Sequence, residues 1–256
     1  MSKLVKTTIV EGKLFLREPM SVGFGVLFPA GLLLLLGAIP ALREPSPDFD
    51  GARFVEFWAP TALVIGMAIL GVQHIPTVLA TYREQGVLRR LSTTPVHPAQ
   101  VLVAQLIVVM LAMLVGTALL VGSAWLVLDV PLPDQPLLFL AAFLVGFGAV
   151  LALGLLVAAV APNARAATGF GTVVFMLIMF AGGVYLPRFL MPDFLVRLGD
   201  YTPPGVQALL ETWSGDLAAL STVESSAAPP LALQLGIMAL VAVVASTAAA
   251  RLFRWE

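Results

Sequence analysis

The sequence predicts an all-α integral membrane protein with six transmembrane helices. Of its 256 residues, 59% are hydrophobic and only 11% are charged, and the mean hydropathy is +0.99. A soluble domain carries roughly 25% charged residues, so this chain cannot cover a globule of its size with a solvated surface. The apolar excess must face lipid. A net charge of −1 gives no indication of a nucleic-acid partner.

Six uncharged apolar stretches are long enough to cross a bilayer as helices, which takes about 20 residues each. These stretches are residues 21–42, 57–80, 101–128, 137–160, 166–187 and 231–250. Backbone polar groups in lipid must be satisfied within the segment, which favours helices, and the polar alternation of a membrane β-barrel is missing. We expect residues 1–256 to form a single membrane domain.

The distribution of basic residues predicts that both termini are cytoplasmic. With that orientation, ten Lys and Arg residues lie in the inner segments, against four in the outer ones. The four outer residues are Arg43, Arg53, Arg188 and Arg197. This bias has the sign that the positive-inside rule requires. Eleven of the fifteen acidic residues fall outside, which is consistent with the same orientation.

Two flanking segments show helical spacing of apolar residues outside the spans. In residues 1–19, apolar side chains recur at helical spacing between Lys3, Lys6, Lys13 and Arg17, which predicts an amphipathic helix in the inner interface. Residues 188–230 show similar spacing on the outer side, interrupted by prolines. We expect short, partly buried or re-entrant helices there, between the fifth and sixth spans.

The inner loop between the second and third spans, residues 81–97, is short and charged. Its sequence favours a helix that ends before Pro95, with Leu88 and Leu91 on one face and Arg89 and Arg90 pointing elsewhere. A short amphipathic helix of this kind can dock in a groove of a soluble partner. A solvated loop whose arginines only fix the topology is the alternative.

This loop closely resembles the E-x-G-x-x-x-x-L-x-x-T-P-type segment of ABC-2 type permeases, the membrane subunits of daunorubicin-resistance-like exporters. The matching residues are Glu84, Gly86, Leu91, Thr94 and Pro95. Residues 182–187 with the prolines after them resemble the family's fifth span and outer hairpin, and the N-terminus resembles its connecting helix. In that family the loop is the coupling helix that docks on the ATPase. The resemblance therefore implies that the coupling residues here are Glu84, Gly86, Leu88, Arg89, Arg90, Leu91, Thr94 and Pro95.

The resemblance also implies partners, because transport needs energy that this chain is not equipped to supply. The chain has no G-x-x-x-x-G-K-[ST] phosphate loop and no soluble stretch large enough for a nucleotide-binding domain. We expect a separate ABC ATPase subunit in two copies, with ATP and Mg bound there, and a second permease, identical or paralogous. No catalytic residue, metal or cofactor is expected on this chain. The expected activity is export of a drug, antibiotic or lipid across a bacterial plasma membrane, as in antibiotic resistance.

Candidate residues of a substrate pathway lie in the second and fifth spans. His74 is an ionisable residue within a span and is by default a functional candidate, with a structural hydrogen bond as the alternative. Phe175, Met176, Met179 and Phe180 could form a soft lining for hydrophobic cargo, or a stripe that faces lipid. Glycines that could allow close helix contacts are Gly116, Gly122, Gly146, Gly148 and Gly154.

Other classes of membrane protein fit the sequence less well. An ion-coupled secondary transporter usually needs charged groups near the midplane, and the predicted spans contain no Asp, Glu, Lys or Arg. A membrane-embedded enzyme would need a catalytic motif, such as H-E-x-x-H or G-x-S-x-G, and neither occurs. A scaffold without transport activity remains an open alternative.

Overall fold

The computed structural model describes residues 3–47, 51–87, 90, 98–186, 188–220 and 229–253. Across these residues the protein is a bundle of helices without a β-strand. Within the described residues, five helices are long and apolar enough to cross a membrane, and a bent pair at the N-terminus supplies a sixth if it counts as one span. The prediction of an all-α integral membrane protein is confirmed.

The N-terminal helix, Lys3–Leu16, makes an angle of 93° with the first span, Ser21–Gly37. Phe15 is buried against the bundle, whereas Val10 and Leu16 are exposed. An amphipathic helix perpendicular to a span suits the membrane interface. We call the end of the bundle that carries this helix the proximal end, and the opposite end the distal end.

The other spans cross the bundle from end to end, and the second changes its winding midway. The second span, Phe54–Glu84, is α-helical except over Ile69–His74, where it is π-helical. The first span likewise begins with a π-helical stretch, Ser21–Leu27, and continues as the α-helix Phe28–Gly37. The remaining spans are Pro98–Leu128, Pro136–Val160, Ala164–Ala181 and Leu231–Leu252.

Three span ends differ from the predicted ones by four residues or more. The first span stops at Gly37 and not at residue 42, since Ile39 is extended and a residue before proline disfavours the helical conformation. The fifth span stops at Ala181 and not at residue 187, because Gly183 has a φ of +75°, a conformation that ends helices. The second span continues past residue 80 to Glu84, so the first residues of the loop 81–97 are helical.

Glycines bring the second span close to two neighbouring helices. A Cβ atom on Gly154 of the fourth span would overlap the carbonyl oxygen of Gly71. A Cβ atom on Gly171 of the fifth span would likewise overlap the carbonyl oxygen of Val72. Both contacts fall on the π-helical stretch of the second span, which is therefore held between two glycine surfaces.

The predicted glycine contacts are confirmed at three of five positions. Gly116, Gly146 and Gly154 each lie so close to the backbone of another segment that a Cβ atom would be within 3.1 Å of it or nearer. Gly122 and Gly148 face open space. A glycine in an apolar helix thus allows a close contact only when the helix face that carries it packs against another segment.

Between the fifth and sixth spans the chain dips into the bundle and returns. Pro204 lies against Gly146, about 15 Å along the fourth span from its first residue. Trp213 packs edge-on against Phe139, near that first residue, with ring centroids 5.4 Å apart. The segment therefore re-enters the bundle, in line with the prediction. Its short helices are Asp193–Tyr201, Val206–Trp213 and Gly215–Leu220.

A buried ion pair closes the base of this re-entrant segment. Arg188, only 2% exposed, donates a hydrogen bond to the carboxylate of Asp200, which is also buried. A second hydrogen bond of 3.5 Å joins the guanidinium of Arg188 to the carbonyl oxygen of Val196. Burial raises the pKa of the Asp200 carboxyl, while the neighbouring guanidinium acts in the opposite direction. Arg188 is therefore a buried structural residue, although it was counted among the outer basic residues.

Candidate functional site

The proximal end of the second span carries three consecutive polar residues, Tyr82, Arg83 and Glu84, that contact three different parts of the protein. The hydroxyl of Tyr82 donates a 2.8 Å hydrogen bond to the carboxylate of Glu11 on the N-terminal helix. The amide of Gln105 on the third span donates to the same carboxylate oxygen, at 3.0 Å. One carboxylate thus joins three helices.

Arg83 and Glu84 bind the facing ends of the fourth and fifth spans. Arg83 donates hydrogen bonds to the carbonyl oxygens of Ala158 and Ala161, where the fourth span ends. The carboxylate of Glu84 accepts a 2.9 Å hydrogen bond from the backbone N–H of Ala164, where the fifth span begins. A cation at a helix C-terminus and an anion at a helix N-terminus both complement the helix dipole. We call Tyr82, Arg83 and Glu84, with their partners, the proximal cluster.

Gly86 ends the helix directly after the proximal cluster. Its φ is +66°, in the left-handed region that favours glycine after a helix, and its N–H donates to the carbonyl oxygen of Arg83. The N–H of Arg90 in turn donates to the carbonyl oxygen of Gly86. Glu84, Gly86 and Arg90 are the predicted coupling residues whose positions are described. The others, which lie outside the described residues, are Leu88, Arg89, Leu91, Thr94 and Pro95.

A groove of about 580 Å³ lies beside the proximal cluster, between the first, second and fifth spans. This volume is within the usual range for ligand sites, roughly 300–1,000 Å³. We call it the polar groove. Its polar lining residues are Glu18, Ser21, Gln73, His74, Thr77, Thr81, Tyr82 and Thr168. Its distal part is lined by Phe24, Ile69 and Phe175.

His74 connects the second span to the bend before the first span. Its Nδ1 atom lies 2.8 Å from Ser21 Oγ and 3.3 Å from Glu18 Oε2, and Ser21 Oγ donates to the same Glu18 oxygen. The edge of the Phe15 ring packs against the imidazole, with centroids 5.3 Å apart. The hydrogen bond from His74 holds the pKa of the Glu18 carboxyl below its usual range, against the opposing effect of partial burial.

Comparison with known protein families identifies the class of transporter. A family model described as "ABC-2 family transporter protein" matches residues 44–251, which include the second to sixth spans and the residues of the proximal cluster on those spans. The chain belongs to the ABC-2 transporter family. A search of curated protein sequences finds no match. The permease is therefore a membrane component of a transporter, of a family that typically works with an ATPase partner.

The five candidate pathway residues of this ABC-2 permease occupy different environments. His74 and Phe175 both line the polar groove. Met179 is 1% exposed and belongs to the core, whereas Met176 and Phe180 are 55% and 42% exposed on another face of the fifth span. The structure thus brings together two of the five residues. The hydrogen bonds of His74 also match the structural alternative that the sequence left open.

Two acidic residues of the permease's N-terminal region were not identified as site residues from the sequence. Glu11 is 5% exposed and belongs to the proximal cluster, and Glu18 lines the polar groove. A usable signal was present for Glu11, because it lies seven residues after Leu4 and four before Phe15, on the same helix face. An acid on an apolar face requires a polar partner. Burial raises the pKa of the Glu11 carboxyl.

Replacing Glu11 by alanine is expected to destabilise the permease by about 1–3 kcal/mol, because Tyr82 and Gln105 lose their shared acceptor. The conservative change Glu11→Gln keeps an acceptor oxygen and removes a buried charge, so it should be nearly neutral. Thermal unfolding of the two purified variants in the same detergent checks this. Equal losses of stability in Glu11→Ala and Glu11→Gln would show that the charge of Glu11, and not its role as a hydrogen-bond acceptor, stabilises the permease.

Proposed function

We propose that this chain is the permease subunit of an ATP-driven exporter, which moves a hydrophobic or amphipathic small molecule out of a bacterial cell. A separate ATPase subunit, present in two copies, binds ATP and Mg. A second permease, identical or paralogous, completes the pathway. The proximal end is the cytoplasmic end in this proposal, in keeping with the bias of basic residues toward it.

The observation that carries the proposal is the arrangement of the proximal cluster. Tyr82 and Arg83 immediately precede the motif that resembles a coupling helix, and Glu84 is the first residue of that motif. Through them, a displacement of that segment would act on the N-terminal helix and on the third, fourth and fifth spans. A force applied by an ATPase at one short loop would therefore reach most of the bundle. Coupling of this kind needs a contiguous set of packed and hydrogen-bonded groups, which these contacts supply.

Affinity purification of the chain from its native host in mild detergent tests the proposal. We expect a vanadate-sensitive ATPase to co-purify. Gly86→Ala places a Cβ atom in a left-handed backbone conformation, which costs about 1–2 kcal/mol and should redirect the segment that follows. The amount of ATPase retained per permease should then fall about tenfold, the equivalent of about 1.4 kcal/mol.

The matched control is Gly169→Ala on the fifth span, near the same end of the bundle. A Cβ atom there meets nothing within 4 Å and requires no left-handed conformation, so ATPase retention should be unchanged. Equal retention in both variants would contradict a coupling role for the segment that begins at Glu84. A permease that purifies alone and transports under an ion gradient would support the secondary-transporter alternative.

A further inference from the structure

We propose that the polar groove binds amphipathic cations and that Glu18 is the residue that selects for positive charge. This inference names the substrate class of the proposed exporter and so rests on the proposed function. It depends on three properties of the groove: the charge of its lining, the free oxygen of its carboxylate, and the order of polar and apolar side chains along it.

The charge of the groove comes from Glu18. Glu18 is the acidic residue among the described lining residues, and these include no Lys or Arg. The remaining titratable lining residues are His74 and Tyr82. Nδ1 of His74 contacts Ser21 and Glu18, and the buried Nε2 has no partner among the described residues. The Glu18 carboxylate therefore gives the groove its negative charge, with no Lys or Arg in the described lining to offset it.

Glu18 keeps one oxygen available for a ligand. Its contacts to His74 and Ser21 both use Oε2, and Oε1 has no side-chain partner in the described parts of the chain. Nearly half of the side-chain surface is exposed. A cationic group could therefore approach Oε1 without breaking either existing hydrogen bond. An anion at the same place would meet an unpaired negative charge, which is how a site rejects the wrong ligand.

The distal end of the groove is apolar on all three spans. The second span lines the groove with mostly polar residues from Tyr82 to Gln73, and its most distal lining residue is Ile69, about 20 Å along the helix from Tyr82. The fifth span presents Thr168 before Phe175, and the bend before the first span presents Glu18 before Phe24 on that span. The charged head of an amphipathic cation would thus lie near Glu18, with its apolar part among the aromatic rings, whose faces also attract cations.

Tetraphenylphosphonium and tetraphenylborate test the charge selection, because the two ions have nearly the same shape and opposite charges. Each is titrated separately by equilibrium dialysis against the full chain in lipid nanodiscs, with empty nanodiscs subtracted. We expect saturable binding of the phosphonium and at least tenfold weaker binding of the borate. Equal affinities, or no saturable phosphonium binding, would overturn the inference without relying on any variant.

Two variants assign the binding to the groove. Glu18→Gln should weaken phosphonium binding about tenfold, as expected for the loss of one close opposite charge in a partly solvated site, and Phe175→Ala should weaken it as well. Glu44→Gln, an equal charge change at an exposed distal position, should leave it unchanged. Unaltered binding in Glu18→Gln or Phe175→Ala would overturn the inference.

The binding assay contains no ATPase, so its outcome is separable from the proposed function. If the phosphonium binds and no ATPase associates with the permease, the exporter proposal fails and the cation site stands. If the ATPase associates and the phosphonium does not bind, the exporter proposal stands and the cation site fails.

Discussion

Replacing Asp200 by alanine is expected to destabilise the permease by about 3–5 kcal/mol, the range for breaking one side of a buried ion pair. The guanidinium of Arg188 is buried, and Asp200→Ala would remove the carboxylate with which it forms its ion pair. The re-entrant segment contacts the start of the fourth span through Trp213, which packs against Phe139. The loss should therefore appear as cooperative unfolding and not as local fraying. Thermal unfolding in detergent measures it.

Two control variants separate the loss of the charge pair from the loss of a carboxylate. Asp216→Ala removes an exposed acid from the same segment and should cost no more than about 1 kcal/mol. The double change Arg188→Met with Asp200→Leu removes both charges, and it should recover much of the lost stability because an apolar pair needs no compensation. A double variant as unstable as Asp200→Ala would show that packing around the pair, and not its charge, holds the segment.

Replacing Gly154 by alanine is expected to cost about 1–3 kcal/mol through overpacking. The new methyl group would overlap the carbonyl oxygen of Gly71, a backbone atom that no side-chain rotation can move away. The fourth span would have to separate from the second at its π-helical stretch. We expect a lower unfolding temperature and, because the polar groove lies on the same stretch of the second span, weaker phosphonium binding.

Gly148→Ala on the same span is the matched control. A Cβ atom there meets nothing within 4 Å, and alanine in place of glycine favours a helix by up to about 1 kcal/mol. Gly148→Ala should therefore be neutral or stabilising under the same conditions. A similar loss of stability in both variants would indicate a general effect of glycine replacement and would contradict the role of the Gly154 contact.

The sequence predicted the helices well because uninterrupted apolar runs specify spans without knowledge of their neighbours. It was harder to predict which face of each helix packs against the rest of the bundle. The fourth span is apolar on all sides, so no polar stripe marks its exposed face. Met176 and Met179 are equally apolar and only three residues apart, yet one is exposed and the other belongs to the core. Which face packs inward depends on the neighbouring helices.

The binding partners of the charged residues were also left undetermined by the sequence. Arg83 and Glu84 were assigned to a loop because charges usually mark the end of a span. Their partners are backbone groups at the ends of other helices, which a one-dimensional pattern does not reveal. The same holds for Arg188, whose partner Asp200 is twelve residues away. In each case the compensating group is supplied by a different helix or turn.

The π-helical stretch Ile69–His74 also sets the rotational phase of the second span. An α-helix turns by about 100° per residue, and a π-helical turn accommodates one extra residue in its hydrogen-bonding ring. Backbone winding some ten residues away therefore determines the direction in which Tyr82, Arg83 and Glu84 point relative to the distal half of the same span. In this permease the orientation of the proximal cluster depends on how the second span is wound.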